Sequence, residues 1–225
     1  NVIDSCIDRE VKQVVALSTD KASSPINLYG ATKLVSDKVF ISGNSYSGDH
    51  KTSFSVVRYG NVMGSRGSII PFFLQQKESG IIPITHSEMT RFMISLEDGV
   101  HLVWHAVHDM VGGETYVKKI PSMKVTDLAR LVAPNASHNI IGIRPGEKLH
   151  EQMISLEDSM STYEYDDYFK ILPVINDWGF DEHRIQNGQK VDENFTYSSD
   201  TNPEWISDKE INEWLKKNID NLGNI

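Results

Sequence analysis

Ser18-Thr19-Asp20-Lys21-Ala22-Ser23-Ser24-Pro25-Ile26-Asn27-Leu28-Tyr29-Gly30-Ala31-Thr32-Lys33 is the stretch on which the reading of this 225-residue chain turns. It begins where the apolar run Val14-Val15-Ala16-Leu17 stops. That run is uncharged and valine-rich, the pattern of a strand buried on both faces. From about Leu28 onward the sequence reads as a helix. An acid (Asp20), two ammonium groups (Lys21, Lys33), a hydroxyl (Thr19) and a phenol (Tyr29) therefore gather just beyond a strand end. Parallel α/β sheets place their ligand sites there.

Tyr29 and Lys33 are four residues apart, so on a helix both project from one face. An ammonium beside a phenol favours the phenolate. Such a pair can take a proton from a secondary alcohol while hydride leaves the same carbon. Taken alone, the spacing also suits a solvated pair on any helix. The Thr-Asp-Lys triplet on the preceding strand end tips the reading toward chemistry.

Outward from this core the chain alternates strands and helices. The helix is expected over 28–42, with apolar Leu34, Val35, Val39 and Phe40 facing a sheet. Residues 43–52, polar and glycine-containing, are expected as a surface loop. Phe54-Ser55-Val56-Val57-Arg58 reads as the next buried strand, delivering Tyr59-Gly60-Asn61-Val62 to the same edge as Thr19. Asn61 would hydrogen-bond a sugar or acetamide group, and Gly60, Gly64 and Gly67 would permit close backbone approach. An ordinary glycine-rich strand exit is the plainer alternative.

A helix is expected over 68–79, with Pro71 tolerated in its first turn. Strands follow over 82–85 and 91–95, and Ser95 suits the N-cap of a helix running through His108. His101, His105 and His108 share that helix surface. No carboxylate motif accompanies them, so they are read as a solvated face and no metal is expected. Further on come a strand over 114–117, a helix over 125–133, a strand over 139–143 and a helix over 148–153. Arg144 and Glu147 flank the Pro145-Gly146 break. They would suit a phosphate and a ribose, or equally a surface ion pair. The tail from Ser155 is acidic and aromatic (Tyr163, Tyr165, Tyr168, Phe169, Trp178) and would either close over a substrate or mediate assembly.

Composition sets the outer bounds. Charged residues make up 24% and hydrophobic ones 39%, as in a globular protein with a sizeable core. A formal net charge of -9 argues against non-specific nucleic-acid binding. The single cysteine, Cys6, excludes an intramolecular disulfide and fits a reducing, cytoplasmic setting. No apolar run approaches the ~20 residues of a membrane span, so no membrane partner is expected. The chain contains no Gly-x-Gly-x-x-Gly turn, which a dinucleotide fold uses after its first strand to approach the pyrophosphate. It also starts without Met, and residues 1–12 read as the end of a helix.

Together, Ser18-Thr19-Asp20-Lys21-Ala22, Pro25, Asn27, Tyr29-Gly30-Ala31-Thr32-Lys33, Arg58-Tyr59-Gly60-Asn61-Val62, Gly64-Ser65-Arg66-Gly67-Ser68, Met89-Thr90-Arg91-Phe92 and Ile143-Arg144-Pro145-Gly146-Glu147-Lys148-Leu149-His150-Glu151 closely resemble the UDP-N-acetylglucosamine 4,6-dehydratases. These belong to the extended short-chain dehydrogenase/reductase superfamily. The likeness is greatest to the C5-inverting enzymes that begin pseudaminic acid synthesis and so serve flagellin glycosylation. In that family about a third of the protein precedes the position of Asn1. The resemblance thus implies a chain that lacks the first βαβ units and would be inactive alone.

The implied fold is α/β: the C-terminal part of a Rossmann-like doubly wound parallel sheet (residues 1–65) with a smaller α/β substrate-binding domain (residues 66–225), some of whose segments return to the sheet. The implied cofactor is NADP, with NAD as the alternative, and the implied partner is a UDP-sugar in a homo-oligomeric lyase. Tyr29, assisted by Lys33, would deprotonate the C4 hydroxyl. Lys21 would take the C5 proton, Asp20 would protonate the departing C6 hydroxyl, and Thr19 would hold the C4 oxygen.

Thr19, Tyr29, Lys33, Tyr59, Gly60, Asn61 and Val62 are the cofactor-binding residues so implied. Asn61, Arg66, Gly67, Ser68, Pro71, Thr85, Arg91, Arg144 and Glu147 are those for substrate. Retaining members often carry Met in place of Tyr29, which favours inversion here. Dehydratases of dTDP- and GDP-sugars tend to have Glu where this chain has Lys21, and epimerases lack the acid/base pair. A retaining dehydratase, an epimerase and a non-catalytic oligomerisation piece are the competing readings.

Overall fold

The Val14-Val15-Ala16-Leu17 run folds as strand β1 (Gln13–Thr19), preceded by helix α1 (Val2–Asp8). The structure is a computed structural model that describes residues 1–48, 51–173 and 182–222. It divides into two compact units. The first comprises Asn1–Tyr59, Glu97–Lys119 and Gln152–Tyr197; the second comprises Gly60–Leu96, Ile120–Glu151 and Ser198–Ile225.

In the first unit β1 pairs in parallel with β2 (Ser53–Tyr59), which pairs in parallel with Thr115–Lys118. Three shorter strands then extend the sheet antiparallel: Tyr168–Ile171, Thr162–Glu164 and Gln189–Lys190. The acidic, aromatic tail is thus part of the sheet, up to the described residues; Trp178 lies outside them. Helix α2 (Leu28–Tyr46) and the helix Leu96–Asp109 carry the chain between parallel strands. The second helix packs Leu102, Ala106 and Met110 with Val57 and Tyr116 in one buried cluster.

Several expectations are corrected here. Among the described residues β1 stands at one end of the strand order, with Leu17 52% exposed. α2 does not stop before Gly43 but runs on to Tyr46. Gly43 serves close packing rather than a break, since a Cβ there would lie 3.0 Å from the Phe54 ring. Asn44 completes the seam by exchanging hydrogen bonds with the backbone of Phe54, accepting from its N–H at 2.9 Å and donating to its carbonyl at 2.9 Å. His105 does not sit on a solvated face. Its ring lies 4.3 Å from that of Tyr168, and burial pushes its pKa down.

The second unit has its own core, with Ile70, Phe73, Ile82, Ile84, Met89, Met93 and Leu128 fully enclosed. Helix Ile69–Gln76, followed by a short 3-10 turn, and helix Val125–Val132 pack beside strand Ile81–Ile84. That strand pairs in parallel with Ser137–Ile140. Residues 148–153 are not helical: Leu149 and His150 form a bend, and Gln152–Ile154 is a strand. The carbonyls of Lys148 and Leu149, which a helix would use internally, accept instead from the Arg91 guanidinium at 3.0 and 3.1 Å. Among the described residues no helix is long and apolar enough to cross a membrane, and no cluster of three or more metal-ligating side chains occurs.

Candidate active site

The strand–turn–helix at the carboxyl end of β1 brings the expected acid/base residues of the first unit together. Asp20–Ala22 forms a single 3-10 turn whose N-cap is Thr19. The Thr19 hydroxyl donates to Asp20 Oδ1 at 2.8 Å and accepts from the Lys21 amide at 3.4 Å. Lys21 Nζ lies 3.0 Å from the same Oδ1. Asp20 is fully buried, whereas the Lys21 side chain stays one-third exposed, so the ammonium faces outward from a carboxylate held inside. Asp20 Oδ2 is buried with no hydrogen-bond partner among the described residues. An acceptor left in that state costs about 1–3 kcal/mol, and a substrate donor would relieve it.

α2 begins at Asn27, whose side-chain oxygen accepts from the Gly30 amide at 2.8 Å. This cap fixes the first turn of the helix and leaves the Tyr29 ring 56% exposed beside the turn. Lys33 Nζ donates to the Leu17 carbonyl at 2.7 Å, tying the helix to β1. Tyr59 stands opposite Thr19 in the strand register, and burial raises the pKa of its phenol.

Sequence reasoning missed the support behind this site. Asp37, one turn beyond Lys33, accepts from the Ser18 hydroxyl at 2.6 Å and lies 3.6 Å from Arg58 Nη2. Arg58 Nη1 also donates to the Met153 carbonyl at 2.7 Å and to Asp158 at 3.1 Å. Ser18, Asp37, Arg58 and Met153 are buried, and desolvation raises the Asp37 pKa against the opposing pull of Ser18 and Arg58. The spacing 33, 37 on one helix face was the available signal.

In the second unit the expected substrate residues are placed as follows. Gly60 is required by packing: a Cβ there would be 2.5 Å from Phe92 Cβ. Asn61 and Val62 form a short strand paired with Met93 and Ile94, and Asn61 Oδ1 is buried without a partner among the described residues. The Ser68 hydroxyl is likewise buried and unpartnered at the N-cap of Ile69–Gln76, with Pro71 buried in that helix's first turn. Arg66 and Gly67 are exposed, and Gly67 has a φ of 70° in open space. The Thr85 hydroxyl contacts Met89 Sδ at 3.0 Å. Arg91 is buried, with Glu147 at 3.7 Å. Arg144 pairs with the same Glu147 at 3.2 Å and remains largely exposed.

A nicotinamide cofactor fits part of this arrangement. The exposed phenol, the ammonium tied to the strand edge and the buried acid at the carboxyl ends of parallel strands suit its reactive end. The glycine turn that would cradle its pyrophosphate is not among these 225 residues.

Comparison with known proteins agrees with the geometry. The family model described as "Polysaccharide biosynthesis protein" matches residues 1–173. The inverting UDP-N-acetylglucosamine 4,6-dehydratase of Campylobacter jejuni subsp. jejuni is 55% identical over 218 residues, 94% of this chain and 65% of the relative. The chain therefore spans about two-thirds of that relative's length, at 65%. Among solved structures, Pen from Bacillus thuringiensis superposes with a TM-score of 0.83 at 34% identity, covering 96% of this chain and 65% of that one. DesIV, the dTDP-glucose 4,6-dehydratase of Streptomyces venezuelae solved with NAD and TYD bound, shares the fold at a TM-score of 0.58 and 20% identity, over 66% of this chain and 53% of that one. On these matches the chain belongs to the polysaccharide biosynthesis protein family and is a relative of the inverting UDP-N-acetylglucosamine 4,6-dehydratases.

Proposed function

We propose that the chain carries the acid/base machinery of an NADP-dependent 4,6-dehydration of UDP-N-acetylglucosamine with inversion at C5, a lyase reaction that opens pseudaminic acid-type sugar synthesis. The observation that carries the reading is the Asp20–Lys21 pair at 3.0 Å on a turn capped by Thr19 and followed by the Tyr29/Lys33 helix. The chemistry a bound nicotinamide supplies is acceptance of one hydride and its later return.

Tyr29, Lys33 and Thr19 would hold the nicotinamide end and Tyr59, Gly60, Asn61 and Val62 would line the cofactor's path. The Tyr29 phenolate takes the C4 hydroxyl proton, with the Lys33 cation favouring that phenolate. Once C4 is a ketone the C5 hydrogen is acidic, and Lys21 as free amine removes it. The C6 hydroxyl then leaves as water with a proton from Asp20, which takes part as the neutral acid and whose buried, unpartnered Oδ2 is the oxygen free to carry that proton. Reprotonation at C5 from the face opposite Lys21 sets the inverted configuration, as hydride returns to C6.

The unpartnered Asn61 Oδ1 and Ser68 hydroxyl are suited to the acetamide or sugar hydroxyls. Arg66, Gly67, Pro71, Thr85, Arg91, Arg144 and Glu147 complete the set assigned to the nucleotide sugar. The cofactor domain is residues 1–65 and the substrate domain mainly residues 66–225, some of whose segments return to the sheet, in a cytoplasmic homo-oligomer. Without a glycine turn, the 225 residues alone would bind NADP weakly and turn over poorly. The test is mass spectrometry of UDP-N-acetylglucosamine incubated with the intact enzyme and catalytic NADP. Loss of one water per sugar without net reduction of cofactor is expected. An isobaric product, as an epimerase gives, would refute it.

A further inference from the structure

We propose that Gly30 is a positioning residue for the dehydration, setting the separation between the Tyr29 helix and the Asp20–Lys21 turn. The inference rests on the function proposed above. A Cβ on Gly30 would run into the carbonyl oxygen of Lys21, closer than real Cβ contacts come, and would sit 3.0 Å from Pro25 Cβ. The contact is with the backbone of the acid/base turn itself. The same residue's N–H is fixed by the Asn27 cap at 2.8 Å, so the first turn of α2 is held from two sides.

Residues 30, 33 and 37 lie along one face of α2, and each meets β1 or the turn that follows it. Gly30 meets Lys21, Lys33 donates to Leu17 at 2.7 Å, and Asp37 accepts from Ser18 at 2.6 Å. Lys33 and Asp37 reach the strand through side chains, which can adjust. Gly30 does so through main chain, which cannot. α2 has 19 residues and the turn has 3, so an added methyl group displaces the turn rather than the helix. Tyr29 then keeps its place while Asp20 and Lys21 move. C4, where Tyr29 acts, and C5, where Lys21 acts, are bonded neighbours on one sugar ring. A displacement of about 1 Å at one catalytic set costs about 10²-fold in rate.

Gly43, at the far end of the same helix, supplies the control. A Cβ there meets only the Phe54 ring at 3.0 Å, a packing contact remote from the turn. The experiment compares Gly30→Ala and Gly43→Ala in the intact enzyme, reading kcat, KM, melting temperature and the fraction of bound cofactor reduced at steady state. For Gly30→Ala we expect kcat to fall about 10²-fold with KM nearly unchanged. Reduced cofactor should build up, because oxidation at C4 outlives elimination. Gly43→Ala should lower the melting temperature and leave the balance of steps as in the parent.

A folded Gly30→Ala variant with the parent's balance of steps would overturn the proposal. If Gly30→Ala does not fold, Asn27→Ala, which frees the Gly30 amide, is read the same way, and an unchanged balance overturns it equally. The parent enzyme is measured first. Absence of dehydration there would refute the proposed function, not the role of Gly30.

Discussion

Lys21 Nζ and Asp20 Oδ1 stand 3.0 Å apart, the lysine one-third exposed and the aspartate fully enclosed. A single three-residue turn thereby presents an amino group outward and a carboxyl group inward. Lys21→Ala should leave a protein that melts in one cooperative transition but forms product at least ~10²-fold more slowly, the usual worth of a positioned base. Product yield and a melting curve on the same sample check this, and unchanged turnover would remove Lys21 from the mechanism.

Tyr29→Phe should block the sequence earlier. The exposed phenol at the start of α2 is the acceptor of the C4 proton in the proposed reaction, and it stands at the first turn of the helix. In a single turnover, absorbance of reduced cofactor should fail to appear at the parent's rate. If it appears normally, another group takes that proton.

Gly60→Ala separates packing from ligand binding. The methyl group would meet Phe92 Cβ at 2.5 Å, so overpacking should cost about 1–3 kcal/mol. Denaturant melts should register that loss, with the m-value unchanged. An undiminished stability would mean that the strand exit yields more easily than its geometry indicates.

This position also illustrates what the sequence could and could not disclose. The strand before Thr19 and the helix around Tyr29 were legible because their signals are local: a valine run and a four-residue spacing. Gly43 was misread as the start of a loop, and the packing role of Gly60 went unseen. The Phe54 ring and the Phe92 backbone that explain them are remote in sequence. Residues 148–153 read as helix because the guanidinium that claims their carbonyls comes from Arg91. The Ser18–Asp37–Arg58 cluster joins three separate elements, and only the spacing of residues 33 and 37 on one helix face hinted at it.

His105 gives a pH dependence. Burial holds its imidazole below the ordinary 6.5, with Asp109, Asp167, Lys118 and Lys170 the charges acting on it and the Tyr116 and Tyr168 rings packed beside it. As the pH falls through 6.5 the unfolded chain takes up the proton first, so this contribution is whole above that pH and is lost below it. Melting temperatures at pH 7.5 and 5.5 should therefore converge in His105→Phe relative to the parent. An equal drop in both would exclude His105 as a source.

The most direct test of the whole account is the reaction of UDP-N-acetylglucosamine with the intact enzyme in D₂O, followed by proton NMR. The account predicts a 4-keto-6-deoxy product with deuterium at C5 and the inverted C5 configuration. Retention at C5, or an undehydrated epimer, would contradict it.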